Sequence, residues 1–160
     1  MTPRPDHLQL APDLFQAFAR LSQQLKQSAL APQLIELVDI RASQLNGCTF
    51  CVDLHVKRAR LHGERELRLH HVATWRDSPL FTARERAALA WTEAVTSLTG
   101  GHVADDVYVQ VRAELSDREL VELTYVVMVI NGWNRLNVAF RTPPGGLDTA
   151  FGLDKAGLSG

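Results

Sequence analysis

Both cysteines of the chain, Cys48 and Cys51, lie in one short stretch, and a histidine, His55, follows them at helical spacing. The preceding pair, Asn46 and Gly47, is typical of a turn, and the residues after it favour a helix. Cys48 is therefore predicted to open a helix. Positions three and four apart share one helix face, so we expect the two thiols and the imidazole to be neighbours.

These three side chains together predict redox chemistry. Two thiols separated by two residues can close a small disulfide ring, and the positive end of a helix dipole stabilises a thiolate. An imidazole one turn after Cys51 can accept a thiol proton or, once protonated, stabilise the thiolate. The dipole favours Cys48 as the acidic thiol, whereas the histidine contact favours Cys51. The spacing leaves both assignments open.

Two other interpretations apply to the same residues. Cys48, Cys51 and His55 could supply three zinc ligands, with Glu36 or another histidine as the fourth. Structural zinc usually takes two separated ligand pairs, and the sequence offers no second pair, so we expect no metal. The cysteines could also be two small buried apolar side chains, but their spacing at a predicted helix start favours the redox interpretation.

The size and composition of the chain are those of an ordinary globular protein. Its 160 residues are interpreted as one domain, 46% of them hydrophobic and 22% charged. The formal net charge of −1 gives no reason to expect nucleic acid or an anionic membrane as a partner. No secretory signal or membrane-spanning run is evident, so we expect a cytoplasmic location. There, a Cys-x-x-Cys pair is more often catalytic, redox-active or metal-binding than a structural disulfide.

Apolar spacing and helix-start signals predict an all-α bundle of six to eight helices, with the redox motif at a helix N-terminus. Two capping boxes, opened by Thr82 and by Ser116, make two of these starts especially clear. The predicted helices cover residues 14–25, 32–45, 48–60, 64–75, 82–98, 103–115 and 116–140.

The last predicted helix has an unusual centre. Residues 126–130 are apolar on every side, so they are expected to be buried on all sides, in part against another subunit. The core of the domain is placed at roughly residues 30–141. From about residue 142, where prolines and glycines accumulate, the tail is predicted to be irregular.

The sequence resembles the carboxymuconolactone decarboxylase family, and within it the alkylhydroperoxidase D-like branch. The resemblance rests on Glu36, eleven intervening residues, and then Cys-x-x-Cys-x-x-x-His from Cys48 to His55. Two stretches outside the motif, residues 81–95 and 129–138, resemble the same family. Together they extend over roughly residues 30–141.

This resemblance implies an all-helical subunit that forms homo-trimers or homo-hexamers and acts as a thiol-dependent peroxidase and disulfide reductase in antioxidant defence. By motif position, Cys51 would attack the hydroperoxide and Cys48 would resolve the product. Glu36 and His55 would relay protons. A dithiol or thioredoxin-like donor would restore the thiols. Because sulfur supplies the electrons, the site would need no metal or organic cofactor.

One departure places the chain in the broader peroxidase-like group. Alkylhydroperoxidase D proteins often have a histidine just before the second cysteine, and this chain has Phe50 there. The decarboxylases that give the family its name generally lack the cysteine pair. Two alternatives remain: a non-catalytic redox-sensing or interaction module, and cofactor-free decarboxylation of a lactone acid.

The other polar and aromatic residues receive plainer interpretations. Three residues near the motif are interpreted as ordinary solvated helix positions: Asp39, Ser43 and Asp53. Three asparagines on the last long helix form a stripe that would face either a subunit contact or the pocket: Asn131, Asn134 and Asn137. The tryptophans are expected to serve packing more than substrate binding: Trp75, Trp91 and Trp133.

Overall fold

The computed structural model describes residues 4–158, apart from the side chain of Thr99, so the extreme ends of the predicted domain lie outside the described residues. Within these residues the chain forms nine α-helices, three short 3₁₀-helices and no strand. The α-helices are α1 (His7–Leu10), α2 (Pro12–Leu25), α3 (Pro32–Leu45), α4 (Thr49–Leu61), α5 (Glu66–His71), α6 (Ala83–Ser97), α7 (Asp105–Glu114), α8 (Asp117–Phe140) and α9 (Asp148–Phe151). The 3₁₀-helices are Val72–Thr74, Thr99–Gly101 and Leu153–Ala156.

The predicted all-α class is confirmed. The helices of six residues or more, α2 to α8, are seven in number and lie where the sequence predicts them. The two four-residue helices near the ends, α1 and α9, were not expected, because so short a helix leaves almost no periodic signal. None of the helices in the described part of the chain combines the length and apolar character needed to cross a bilayer.

Both predicted capping boxes are formed. Thr82 accepts a hydrogen bond from the backbone N–H of Glu85, and the Glu85 carboxylate accepts one from the N–H of Thr82 at 2.8 Å. Ser116 and Glu119 make the same reciprocal pair at the start of α8, at 3.3 and 2.9 Å. A cap of this kind stabilises a helix by about 1 kcal/mol, so these two starts are locally determined.

Helix α3 is the centre of the bundle. It packs against α4, α6 and α8, and nine of its fourteen residues are buried. The side chains of Leu37, Val38 and Ile40 are completely removed from solvent. Because α3 is surrounded, its polar residues Glu36 and Asp39 are drawn into the interior with it.

The apolar centre of α8 is buried with one exception. Four of the five side chains between residues 126 and 130 are buried, as expected, but Met128 is 56% exposed. Val121 and Tyr125 precede Met128 at helical spacing and are about half exposed. These three residues form a continuous apolar stripe on the outside of the single chain.

The two ends of the chain pack onto this central bundle. Helix α2 crosses α8 at Gly132, where a Cβ atom would lie only 2.5 Å from the ring of Phe18. At the other end, the segment predicted to be irregular from residue 142 contains α9 and the 3₁₀-helix Leu153–Ala156, which packs on α4. The prediction of an irregular tail is therefore wrong. Leu153 and Ala156 are buried where this segment packs on α4, and a local sequence pattern does not predict such long-range packing.

Candidate active site

The Asn46-Gly47 turn and the start of α4 place the first cysteine. Gly47 has a φ of 65°, a left-handed conformation that other residues adopt only with strain. Cys48 is then the N-cap of α4, and its Sγ accepts a hydrogen bond from the backbone N–H of Cys51 at 3.3 Å. The predicted helix start at Cys48 is therefore confirmed, and one turn of helix separates the two thiols.

Both thiols are free and buried, with 1% of Cys48 and 2% of Cys51 exposed. Amide groups of α8 reach them from the opposite side. Asn137 donates from Nδ2 to the Sγ of Cys51 at 3.6 Å, and Asn134 lies close enough to stabilise a charge on either sulfur. Two of the three asparagines of the stripe therefore face the cysteines, whereas Asn131 bonds to Asn46 and Thr96.

The environment separates the acidities of the two thiols. The Cys51 thiol and its backbone N–H donate to Cys48, and together with Asn134 they lower the pKa of Cys48 to about 7 against the effect of burial. The same hydrogen bond holds the proton on Cys51, and burial acts in the same direction, so the pKa of Cys51 is raised. Cys48 is therefore the thiol that ionises first, near neutral pH, and the ionised pair keeps one shared proton with the charge centred on Cys48.

A second buried cluster joins α3 to α4. His55 Nδ1 lies 2.7 Å from Glu36 Oε2 and 3.3 Å from Asp39 Oδ2, and all three residues are at least 92% buried. Because Nδ1 is occupied by these carboxylates, Nε2 is the ring nitrogen left for a thiol or a ligand. The described contacts include no hydrogen bond between His55 and either sulfur.

The environment of this cluster shifts the pKa values of all three groups, and it places the pKa of Asp39 near neutral pH. Burial opposes charge on His55, but Asp39 and Glu36 outweigh burial and raise the pKa of the imidazole. Burial, reinforced by Glu36, raises the pKa of Asp39 to about 7. Burial acts in the same direction on Glu36, but the imidazolium of His55 outweighs it and lowers the pKa of that carboxyl. These shifts favour the ionised form of Glu36 and the protonated form of His55, and Asp39 titrates near neutral pH.

A cavity of about 410 Å³ opens beside both clusters. Its walls are mainly apolar, and four aromatic side chains contribute to them: Phe15, Phe50, Trp133 and Phe151. Cys51, His55, Glu36 and Asp39 also line it, whereas Cys48 lies behind Cys51 and outside the lining. A ligand in the cavity would therefore meet Cys51 before Cys48.

The sequence named four of the residues gathered here, left two undecided and missed one. Glu36, Cys48, Cys51 and His55 lie within one continuous region, in two clusters. Asn134 and Asn137, for which a subunit contact and the pocket were both left open, belong to the same region, and so does Asp39, which was interpreted as solvated. Their signal was helical spacing: Asp39 follows Glu36 by three residues, and the asparagines are three apart.

Three lesser interpretations also change. Ser43 accepts a hydrogen bond from Asn134 at 3.0 Å, so it orients the asparagine and is not solvated. Asp53 forms its ion pair with Lys57 and not with a residue of the site. Trp133, expected to serve packing, also lines the cavity.

Potential metal ligands differ from those considered in the sequence. Among residues 4–158, the set whose donor atoms could hold an ion is Glu36, Asp39 and His55, whose atoms lie within 4.8 Å of one another. It contains no sulfur. Two oxygens and one nitrogen suit harder ions better than the thiolate site considered for zinc. His55 and Glu36 already satisfy each other through a hydrogen bond of 2.7 Å.

Comparison with known proteins places this arrangement in a family. The model of the carboxymuconolactone decarboxylase family matches residues 12–94, which include the whole cysteine motif and Glu36. The chain belongs to this family. YdfG, an uncharacterised protein of Bacillus subtilis, is 33% identical over 139 residues, which are 87% of this chain and 95% of that relative.

Solved structures of the family's AhpD-like members share the fold. An Agrobacterium tumefaciens protein of unknown function, assigned to antioxidant defence as AhpD, is 38% identical with a TM-score of 0.86, over 89% of this chain and 98% of that chain. A peroxidase-related protein of Ralstonia eutropha with an AhpD core has a TM-score of 0.78 at 21% identity, over 87% of this chain and 74% of that chain. The AhpD-like resemblance of the motif is therefore confirmed.

Proposed function

We propose that the protein is a thiol-dependent peroxidase that reduces organic hydroperoxides through Cys51 and Cys48. The observation that supports it best is the position of Cys51. The Cys51 thiol contacts the Cys48 thiol on one side and borders an apolar cavity on the other. The same cavity is lined by the cluster of Glu36, Asp39 and His55, whose groups can carry protons. A peroxidase of this kind needs an attacking sulfur, a resolving sulfur and a proton donor for the leaving oxygen.

The first step begins with the proton shared by the two thiols. As a hydroperoxide approaches through the cavity, the Cys51 proton passes to the Cys48 thiolate, which is already hydrogen-bonded to it. The Cys51 thiolate attacks the distal oxygen, and the O–O bond breaks. His55, protonated and held by Glu36, supplies a proton to the departing alkoxide. The products are an alcohol and a sulfenic acid on Cys51.

The second step closes the disulfide. Cys48, one turn from Cys51, loses its proton again and attacks the sulfenic sulfur, and the hydroxyl leaves as water. The two cysteines have then given up two electrons and the hydroperoxide has accepted them. A dithiol or thioredoxin-like donor restores both thiols through a mixed disulfide. The same exchange would let the protein act as a disulfide reductase.

We also propose where the protein acts and how it assembles. We infer a cytoplasmic location, since the mechanism depends on a reducing compartment. We also infer a homo-oligomer, a trimer or hexamer, for which the exposed stripe of Val121, Tyr125 and Met128 offers an apolar contact surface. Hydroperoxide and donor would be the other partners.

Peroxide consumption with a dithiol donor is the decisive experiment. The unmodified chain should consume cumene hydroperoxide catalytically, and its free-thiol count should fall by two on oxidation. Cys51→Ser should lose at least a thousandfold in rate, about the loss seen when an enzyme loses its nucleophile. Cys48→Ser should retain about one turnover and then stop as the sulfenic acid, which a dimedone label would detect.

The two alternative functions predict different results for the same experiment and variants. A redox sensor would form the disulfide but show no turnover with any donor. A cofactor-free lactone decarboxylase would retain its activity in the variant that lacks both cysteines. Either result would remove the peroxidase proposal.

A further inference from the structure

Among residues 4–158, two cations at the edge of the active-site cavity have no carboxylate partner. Lys26 follows the last residue of α2, and Arg58 lies in the last part of α4; both line the cavity that contains Cys51. Within the described part of the chain, neither makes an ion pair within 4.0 Å, and Arg58 has only an aromatic contact, 5.6 Å above the ring of Phe151. By contrast, their neighbour Lys57 has two carboxylate partners.

The two cations are close to each other as well as to the cavity. They also line a second cavity of about 500 Å³, which shares Phe151 with the first. The charge of Arg58, after burial itself, lowers the pKa of Lys26, as expected for neighbouring like charges. Two adjacent cations without a counter-ion are mutually repelled, and a bound anion would relieve that repulsion.

The nearby carboxylates do not act as the counter-ion of Lys26 and Arg58. Glu36 and Asp39 are the nearest carboxylates that act on Lys26, and both are already paired with His55, at 2.7 and 3.3 Å. Their attraction for Lys26 and Arg58 is therefore long-range, without a direct contact. His62 adds a third titratable group beside the second cavity, 3.8 Å from Glu36. The charge of an incoming carboxylate would meet mainly Lys26 and Arg58.

The position of Arg58 on α4 fixes the spacing between the reacting sulfur and this basic pair. Arg58 follows Cys51 by seven residues, two helical turns, so both project from one face about 10 Å apart along the axis. Leu54 lies between them on that face, and Ile35 of α3 lines the same cavity. A ligand that spans the two ends must therefore have an apolar middle.

We propose that Lys26 and Arg58 form a subsite for the carboxylate of an apolar hydroperoxide whose peroxide end reaches Cys51. The proposal rests on the proposed peroxidase function and names its substrate class: hydroperoxides of aliphatic carboxylic acids. The carboxylate is unchanged in the reaction. The peroxide becomes an alcohol and water while the two thiols become a disulfide, as described above.

The test compares one hydroperoxide with and without its charge. ω-Hydroperoxydecanoic acid and its methyl ester are supplied to the protein with dithiothreitol, an uncharged donor. The acid should be preferred by about tenfold in kcat/KM, mainly through KM, the usual size of one charge-assisted contact. Lys26→Gln and Arg58→Gln should each reduce the preference to about threefold, and the double variant should abolish it.

Two controls separate this subsite from other effects. Arg60→Gln removes a cation of the same helix that pairs with Glu66 and lines neither cavity, and it should leave the preference unchanged. The ester reports any indirect effect of the substitutions on His55 and Glu36. Equal rates for acid and ester in the unmodified protein would overturn the proposal. So would a charge preference that appears only with dihydrolipoic acid as donor, because the cations would then serve the donor.

Binding without turnover makes the subsite testable even if the protein is not a peroxidase. Decanoate and methyl decanoate are titrated calorimetrically into the unmodified protein and into the double variant. Tighter binding of decanoate, lost in the double variant, supports the carboxylate subsite whatever the reaction. Absence of that difference overturns it, whereas failure of both hydroperoxides to react while decanoate binds would reject the proposed function alone.

Discussion

Two buried basic side chains on α4, two residues apart, are each held between two carboxylates, yet they differ in exposure to the cavity and in proton binding. His55 lies 2.7 Å from Glu36 and 3.3 Å from Asp39. Lys57 lies 2.8 Å from Asp53 and 2.7 Å from Asp148. The His55 cluster lines the cavity with Cys51, and the Lys57 cluster does not. The same pattern of charge can therefore serve either chemistry or attachment, and exposure to the cavity distinguishes them.

The second difference is in proton binding. Burial disfavours charge on Lys57, but Asp148 and Asp53 outweigh it and raise its pKa from an already high value, so this group stays charged at every physiological pH. In the His55 cluster, the pKa of Asp39 lies at about 7 and the proton count changes there. A fixed charge suits a structural tie, and a movable proton suits acid–base catalysis.

The Lys57 cluster holds the C-terminal segment against α4. Asp148 is the first residue of α9, and Asp53 also accepts a hydrogen bond from the backbone N–H of Gly145 at 3.2 Å. The segment attached in this way contributes Leu147 and Phe151 to the wall of the cavity. The Lys57 cluster therefore supports the cavity that the His55 cluster lines.

The largest expected effect comes from His55→Gln. The substitution removes the proton donor but leaves an amide of similar size, so kcat/KM for a hydroperoxide should fall by about a thousandfold. Its effect on thermal stability should be small by comparison with its effect on kcat/KM. Steady-state kinetics and thermal unfolding of the same preparation provide both numbers. A loss of less than about fivefold would mean that His55 is not the proton donor.

Lys57→Met should show the reverse pattern. Removing the cation leaves Asp53 and Asp148 facing each other, and since both are partly exposed we expect a loss of about 2 kcal/mol, less than for a fully buried pair. The midpoint of thermal unfolding should fall by about 5 °C. Well below that midpoint, kcat/KM for cumene hydroperoxide should stay within about threefold. Lys57→Arg, which keeps the charge, is the matched control.

If Lys57→Met lost activity as severely as His55→Gln while remaining folded, the distinction between the clusters would be wrong. Unfolding followed in urea, with activity measured at low denaturant, separates inactivation from unfolding. A stable Lys57→Met protein would show instead that the C-terminal segment is held by Leu153 and Ala156 and not by the ion pairs.

The two clusters also differ in how far the sequence predicts them. Helix starts at Thr82 and Ser116 were predictable because a capping box is completed within four residues. The position of the thiols and His55 on one helix was predictable from local spacing, but the described hydrogen bonds of His55 go to the carboxylates of α3 and not to either sulfur. Pairing of Lys57 with Asp148 joins residues 91 apart, and no local pattern encodes it.

Asp39 shows a different limit. A carboxylate three residues after Glu36 resembles an exposed helix position, and only the burial of α3 by its neighbours turns it into a partner of His55. The role of Glu36 itself came from the family resemblance, not from its spacing. Burial depends on how the whole bundle packs, so it is the part of the site that sequence patterns predict least well.

A pH titration of stability isolates the movable proton. The folded-state pKa of Asp39, about 7, lies above its ordinary value of 3.8, so between these values the folded protein binds the extra proton and stability falls as pH rises. The slope is at most about 1.4 kcal/mol per pH unit. Asp39→Asn should remove this slope between about pH 5 and 6.5, as measured by urea unfolding. Lys57→Met should keep it.

Within that pH range other groups contribute little. The raised pKa of His55 adds stability that is fully present below its unfolded value and is lost only at higher pH. The lowered pKa of Cys48 acts in the opposite direction, chiefly above about 7. Identical slopes in the unmodified protein and in Asp39→Asn would show that Asp39 is ionised in the fold, and the contrast in proton binding would then rest on His55 alone.

The smallest expected effect concerns Cys51, the sulfur that lines the cavity. Neutral amides contact this sulfur, whereas carboxylates contact His55 and Lys57. Asn137 donates to Cys51 over a long 3.6 Å, a contact worth about 0.5 kcal/mol, so Asn137→Leu should slow hydroperoxide reduction only about twofold. Cys48 has other donors, Cys51 and Asn134, and its pKa of about 7 should not move. Thiolate absorbance against pH measures this. A shift in the Cys48 titration would show that Asn137 orders the whole thiol pair, whereas a rate loss with an unchanged titration assigns its effect to the attacking sulfur.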